Sequence, residues 1–230
     1  KAGALDALHD VRKQFKRIKE IPYNSSVFHI AEDHEGNIWT GSVSQGAFFY
    51  NPKTGTHGNV RLGDTINGKI VNEFPVHNIL EDSDHNMWFS TIGGGLICLS
   101  ADRKSIRKFN SDDGLPSNIL FGILEDNAKG LWKGSSKGLV NFDLRSEKIR
   151  VYTRSNGLIT DQFNYNSAYK HSNGKLYFGS VKGMIAFNPV DLKRKEPSPP
   201  TYITGFQINN REVTPNDAGS PLTQSILYTD

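Results

Sequence analysis

Three acidic pairs, Glu32-Asp33, Glu81-Asp82 and Glu125-Asp126, are the residues that general acid–base chemistry or cation binding would use first in this chain. Each pair stands six residues ahead of a tryptophan, counted from its aspartate to Trp39, Trp88 and Trp132. A catalytic pair is needed once, whereas these recur at one architectural position, so they read as hairpin turns whose aspartate accepts backbone N–H bonds. Asp82-Ser83-Asp84-His85-Asn86 imitates the opening of a calcium loop, but such a loop wants glycine sixth and glutamate twelfth. Met87 and Gly93 stand there instead. Gly93-Gly94-Gly95 leads into a strand, not a helix, which argues against a phosphate cradle. The seven histidines, among them His29, His34, His77 and His85, show no metal-ligand spacing supported by cysteine or by an i,i+4 helix. Nothing in the pattern nominates a nucleophile. The expectation is a chain that binds rather than catalyses, with no catalytic residue, metal or cofactor.

The elements that must carry these residues are repeats. The stretch ILEDSDHNMWFSTIGGGLICL from Ile79 has partners in IAEDHEGNIWTGSVSQGAFFYN and ILEDNAKGLWKGSSKGLVNFD. A weaker fourth copy, AYKHSNGKLYFGSVKGMIAFN, carries Lys170-His171 and Tyr177 in the same frame. The four aromatics are 49, 44 and 45 residues apart, a period that with short β-type runs points to propeller blades. The turns DHEGN, DSDHN, DNAKG and HSNGK supply the positive-φ residues that tight hairpins need. The predicted fold is all-β: a partial β-propeller of about four four-stranded antiparallel blades at 21–62, 76–109, 119–153 and 164–190. Residues 3–18 read as the end of a preceding blade. Trp39, Trp88 and Trp132 are expected in the core, wedged between blades.

Composition sets the outer bounds. A chain of 230 residues with 36% hydrophobic content, 22 Gly and 10 Pro suits many short strands. The net charge of +3 gives no reason to expect nucleic acid, and Lys193-Arg194-Lys195 reads as a solvated tether. Cys98 stands alone, so an internal disulfide is excluded and a buried inert thiol is expected. No apolar run reaches roughly 18 residues, and no membrane contact is expected of the chain itself. The first residue is not Met, which reads as an excised piece. Residues 191–200 form a Pro-rich linker, and 201–230 read as the first strands of a sandwich domain.

The units I-x-E-D-x-x-x-x-x-W, the connector DGLPSN at Asp113–Asn118, SNGL-x-x-x-x-FN at Ser155–Asn164 and the closing GMIAFNP at Gly183–Pro189 resemble two-component regulator propeller repeats. PPTYITGFQIN at Pro199–Asn209 resembles the opening of the triple-tyrosine (YYY) sandwich that follows such propellers. The resemblance implies the periplasmic sensor part of an inner-membrane hybrid two-component histidine kinase of polysaccharide-degrading bacteria, responding to an oligosaccharide. This chain departs from the family in having about four blades where rings of seven are usual, and in lacking the kinase, receiver and DNA-binding parts. An arc of this kind has open blade faces, so a homodimer is a further expectation. For a sugar, the funnel-side residues to nominate are His77, Asn78, Asn118, Arg154, Asn164 and Tyr165, each with turn bonding or strand-end packing as its competing role. The alternatives are a protein-interaction propeller and a propeller lyase.

Overall fold

The computed structural model describes residues 17–19, 21, 26–192, 207–208 and 211–212, in a unit Lys1–Asp191 and a unit Leu192–Asp230. Among the described residues the first unit holds four blade sheets and one two-stranded sheet, all antiparallel. Blade 1 is β1 (Val27–Glu32), β2 (Ile38–Ser42), β3 (Ala47–Tyr50) and β4 (His57–Val60). A separate hairpin follows, β5 (Gly63–Ile66) and β6 (Lys69–Glu73). Blade 2 is β7 (Val76–Glu81), β8 (Met87–Thr91), β9 (Leu96–Leu99) and β10 (Ile106–Phe109). Blade 3 is β11 (Leu120–Glu125), β12 (Gly130–Ser135), β13 (Gly138–Asp143) and β14 (Ile149–Tyr152). Blade 4 is β15 (Phe163–Lys170), β16 (Leu176–Ser180) and β17 (Gly183–Phe187). Each blade is a meander paired in sequence order. In the second unit the described strands are β18 (Gln207–Ile208) and β19 (Arg211–Glu212). The expected blade end at 3–18 and most of the linker and sandwich segments lie outside the described residues.

Two features differ from the four-strand unit. Among the described residues blade 4 has three strands, and Asn188 leads into a helical turn, Pro189–Leu192, whose proline has no N–H to offer a ladder. The long connector after blade 1 is not irregular: Asn67 (φ 49°) and Gly68 (φ 75°) close β5 onto β6, the Asn-Gly turn favoured by two-residue hairpins.

A repeated division of labour in the acidic pairs explains the turns. The aspartate works inside its own blade. One oxygen of Asp33 accepts from the Glu35 and Asn37 backbone N–H groups, and the other accepts the Trp39 indole N–H at 2.7 Å. Asp82 does the same for Asp84, Asn86 and Trp88, and Asp126 for Ala128, Gly130 and Trp132. In blade 4, His171 Nδ1 accepts from Asn173 N–H in the aspartate's place. The glutamate works between blades. Glu81 accepts the His34 backbone N–H, and Glu125 accepts both N–H and hydroxyl of Ser83. Each glutamate thus holds the hairpin turn of the blade before it.

The indoles so oriented are the wedges the periodicity predicts, with 2%, 4% and 0% exposure for Trp39, Trp88 and Trp132. Trp39 packs with Val76, Phe89 and Ile97 of blade 2. Trp88 packs with Leu120, Leu131 and Phe142 of blade 3, and Trp132 with Phe163, Leu176 and Phe178 of blade 4. Each removes roughly 150–250 Å² from water, worth several kcal/mol at about 25 cal/mol per Å². Two buried groups are poorly matched to this core. Lys133 is fully buried, its Nζ has no hydrogen-bond partner, and it lies 4.9 Å from the Phe142 ring centroid. Burial holds its ammonium well below the usual lysine range, which outweighs the attraction of the ring for a cation. Burial, with Asp82 adding to it, pushes the Cys98 thiol up to about 12, so it is inert as a nucleophile.

Blades 2 and 3 are covered on both sides, and β8, β9 and β12 are buried at every position. Blades 1 and 4 each keep an exposed apolar face, with Ile30 64% exposed on one and Tyr169 62% and Met184 67% on the other.

Candidate functional site

The four inner strands, β1, β7, β11 and β15, share one irregularity. Pairing with the second strand slips between Val27 and His29, Val76 and Asn78, Leu120 and Ile123, and Phe163 and Ala168. A bulge bends the strand and re-aims the side chain it frees. The freed residues meet where the strands converge. Phe28 stacks on His77 at 4.1 Å between ring centroids, His77 lies 4.8 Å from Tyr165, and Tyr165 lies 4.7 Å from Phe121. One aromatic from each blade therefore joins a continuous cluster at the axis. In blades 1 to 3 that residue stands five positions before the turn aspartate; β15 is two residues longer, and Tyr165 stands six before His171.

Polar groups stitch the strands beside these rings. His29 Nδ1 accepts the Ile79 N–H, so its neutral ring carries the proton on Nε2. Asn78 Oδ1 accepts the Ile123 N–H, while its Nδ2 donates to Asn166 Oδ1. Asn166 Nδ2 donates in turn to the Phe28 carbonyl at 2.8 Å, tying blade 4 to blade 1. Gly122 occupies the corresponding place in blade 3, where a Cβ would come within 2.7 Å of Ala168 Cβ.

His77 is the chemically distinctive member. It is 5% exposed and its Nδ1 has no partner, and burial lowers its pKa from the ordinary imidazole value. A buried polar atom left unpaired is costly, and an incoming hydroxyl would satisfy it. Above it the rings of Phe28 and Tyr165 are 39% and 55% exposed, open to stacking. The arrangement offers aromatic faces, a neutral imidazole and amides: groups that bind.

Of the residues nominated from sequence, His77, Asn78 and Tyr165 come together here. Asn164 precedes Tyr165 but lines a cavity of about 580 Å³ with Tyr169, Tyr177 and Met184 on the uncovered side of blade 4. Asn118 and Arg154 lie in two connectors of matching design. Asn118 Oδ1 accepts the Ser111 N–H, and Asp161 Oδ1 accepts the Arg154 N–H seven residues earlier in chain. Gly114 and Gly157 close the two turns in the left-handed region. The competing role of turn bonding is thus the one visible for Asn118, and the Arg154 side chain is exposed. Phe28 and Phe121 were not nominated, although their fixed distance from the turn aspartate was a usable signal.

Comparison with known proteins agrees with this architecture. The two-component regulator propeller family matches residues 70–93. "Histidine kinase P4" of Formosa agariphila is 24% identical over 92% of this chain and 19% of its own length. The extracellular domain assigned to a hybrid two-component system of B. thetaiotaomicron superposes with TM-score 0.65 at 27% identity, covering 83% of this chain and 26% of that one. A second such domain from the same organism gives TM-score 0.61 at 22% identity, covering 72% and 23%. This chain therefore spans about a fifth of the length of the kinase it matches and resembles the extracellular sensor part of such systems.

Proposed function

We propose that this chain is a segment of the periplasmic ligand-sensing region of a hybrid two-component histidine kinase, and that the ligand is an oligosaccharide whose recognition controls polysaccharide utilisation. The observation that carries the reading is the regulator-propeller match within a chain similar to extracellular sensor domains over most of its length. Among the described residues no helix is long and apolar enough to cross a membrane, so signal transfer falls to other parts of the whole protein. The axial cluster supports a sugar ligand: exposed Tyr165 and Phe28 rings would stack on sugar C–H faces. His77 would meet a hydroxyl, with Asn78 holding the cluster in register; Asn164 on the uncovered side of blade 4, and Asn118 and Arg154 on the connectors, are proposed as further contacts for a ligand that extends beyond the axis. Residues 201–230 complete the proposal as the opening of a YYY sandwich.

Isothermal titration of the intact extracytoplasmic region against a panel of oligosaccharides tests this. Binding of one glycan class, weakened at least tenfold by Tyr165→Ala and by His77→Ala, is the expected result. Silence across the panel, together with capture of a stable protein partner, would replace it with a protein-interaction propeller.

A further inference from the structure

Outside the axis, one cluster brings together groups that the sequence keeps far apart. His34 lies at the hairpin tip of blade 1, while Glu81 and His85 flank the hairpin of blade 2. Glu81 Oε1 is 2.5 Å from His34 Nδ1 and 3.7 Å from His85 Nδ1. The two imidazoles lie with centroids 3.8 Å apart and planes tilted by 31°, and one ligand atom from each of the three side chains falls within 4.8 Å of the others. The geometry points to a transition-metal site: His34, His85 and Glu81 form a three-ligand centre for a divalent cation of the zinc type, bridging two neighbouring blades.

The donor chemistry selects the metal. Two imidazole nitrogens and a carboxylate oxygen suit zinc, copper or nickel, whereas calcium and magnesium want oxygen alone. Closing the three atoms onto one ion at about 2.0–2.2 Å asks the side chains to rotate and the 2.5 Å contact between His34 Nδ1 and Glu81 Oε1 to give way to the ion. Both histidine side chains are 41% and 52% exposed, which gives the ion a path in and the rings freedom to turn. Glu81 is held from behind, because its second oxygen accepts the His34 backbone N–H at 2.7 Å. His85 Nδ1, at 3.7 Å, is beyond hydrogen-bond reach of Glu81, so binding does not have to break a strong contact there. At the next blade junction Ser83 occupies the place of His34 and gives its hydroxyl to Glu125; the histidine pair is peculiar to the first junction.

One group opposes the cation. Arg103 Nη2 lies 3.4 Å from Glu81 Oε1 and equally far from Asp33 Oδ2, and its Nη1 donates to the His85 carbonyl. The ion must displace this guanidinium from Glu81, while Asp33 keeps it in place. Affinity in the micromolar range follows, below that of a closed structural zinc site.

The test is calorimetric titration of the full chain with zinc chloride near pH 7.5, paired with thermal melts in the presence and absence of the ion. One zinc per chain is expected, with a melting temperature that rises with zinc and returns on adding a chelator. His85→Ala should weaken binding at least tenfold and abolish the zinc-induced shift measured against its own metal-free melting temperature. His34→Ala should weaken it as much. Unchanged zinc affinity in the His34→Ala/His85→Ala double variant, or no heat at sub-millimolar zinc, would overturn the proposal.

Discussion

At the scale of single residues, the informative groups are those whose environment contradicts their chemistry. Lys133 is a base enclosed by Trp88 and Phe142 with nothing to take its proton. In the unfolded chain it holds a proton below its ordinary value of 10.5, and in the fold it gives that proton up more readily. The unfolded state therefore binds more protons over that interval, and stability falls as pH drops from 10.5 toward the lowered value. Lys133→Met should stabilise the protein by about 1–3 kcal/mol at neutral pH. The gain should shrink as the buffer approaches pH 10, in melts followed by tryptophan fluorescence. His77 follows the same logic on the acid side. Its folded pKa lies below 6.5 through burial, so stability it supports at neutral pH is lost as pH falls below 6.5. His77→Phe, which copies Phe28 and Phe121, should flatten the fall in melting temperature between pH 7 and pH 5. An unchanged slope would mean that the ring is protonated in the fold without cost. Neither environment could be foreseen from type and spacing: Lys133 sits in a strand position that alternation would place on a solvated face, and only the preceding blade, through Trp88, makes it interior.

At the scale of the element, the Glu81-Asp82 and Glu125-Asp126 pairs act in two directions. In each, the aspartate fixes the turn and the indole of its own blade; the glutamate fixes the turn of the preceding one. Removing one or the other should have unequal effects. Asp82→Ala orphans the buried Trp88 N–H and opens a turn, at roughly 3 kcal/mol. Glu125→Ala loses an exposed bond to Ser83 and should cost about 1 kcal/mol or less. Urea midpoints of the two variants decide the ordering. Trp88→Ala, which empties the wedge itself, should cost roughly 3–5 kcal/mol. The aspartate's turn role was legible from its recurrence. The indole bond and the glutamate clip were not, since both depend on which way a side chain points. The hairpin of β5 and β6 was readable in Asn67-Gly68 but hidden by the uneven repeat length. At the axis, His77 and Tyr165 stand out as polar aromatics, while Phe28 and Phe121 give no signal, because the bulge that turns them inward leaves no mark in the hydrophobic pattern.

At the scale of the whole molecule, the covered and uncovered blades differ in kind. Blades 2 and 3 are closed by neighbours, whereas Ile30, Tyr169 and Met184 give blades 1 and 4 apolar faces in water. Exposed faces of this sort favour self-association, and the homodimer expected from the sequence is kept as a proposal on that ground. Light scattering during gel filtration should show mass rising with protein concentration, and Ile30→Lys with Met184→Lys should hold the chain at one copy. A single-copy mass for the parent at every concentration would remove the proposal. The overall architecture was the most legible level of all, because periodicity in Trp39, Trp88, Trp132 and Tyr177 survives whatever happens between the repeats.

The shared slip in the inner strands has a consequence for how such a molecule changes over generations. Since Phe28, His77 and Tyr165 stand outside the three interblade wedge clusters, their repeats each carry one letter that can be rewritten without disturbing the grammar of the rest, whereas Phe121 is shared with the wedge around Trp132. Phenylalanine, histidine, phenylalanine and tyrosine are the present spelling, and a different chemical vocabulary at the centre is only a few independent substitutions away.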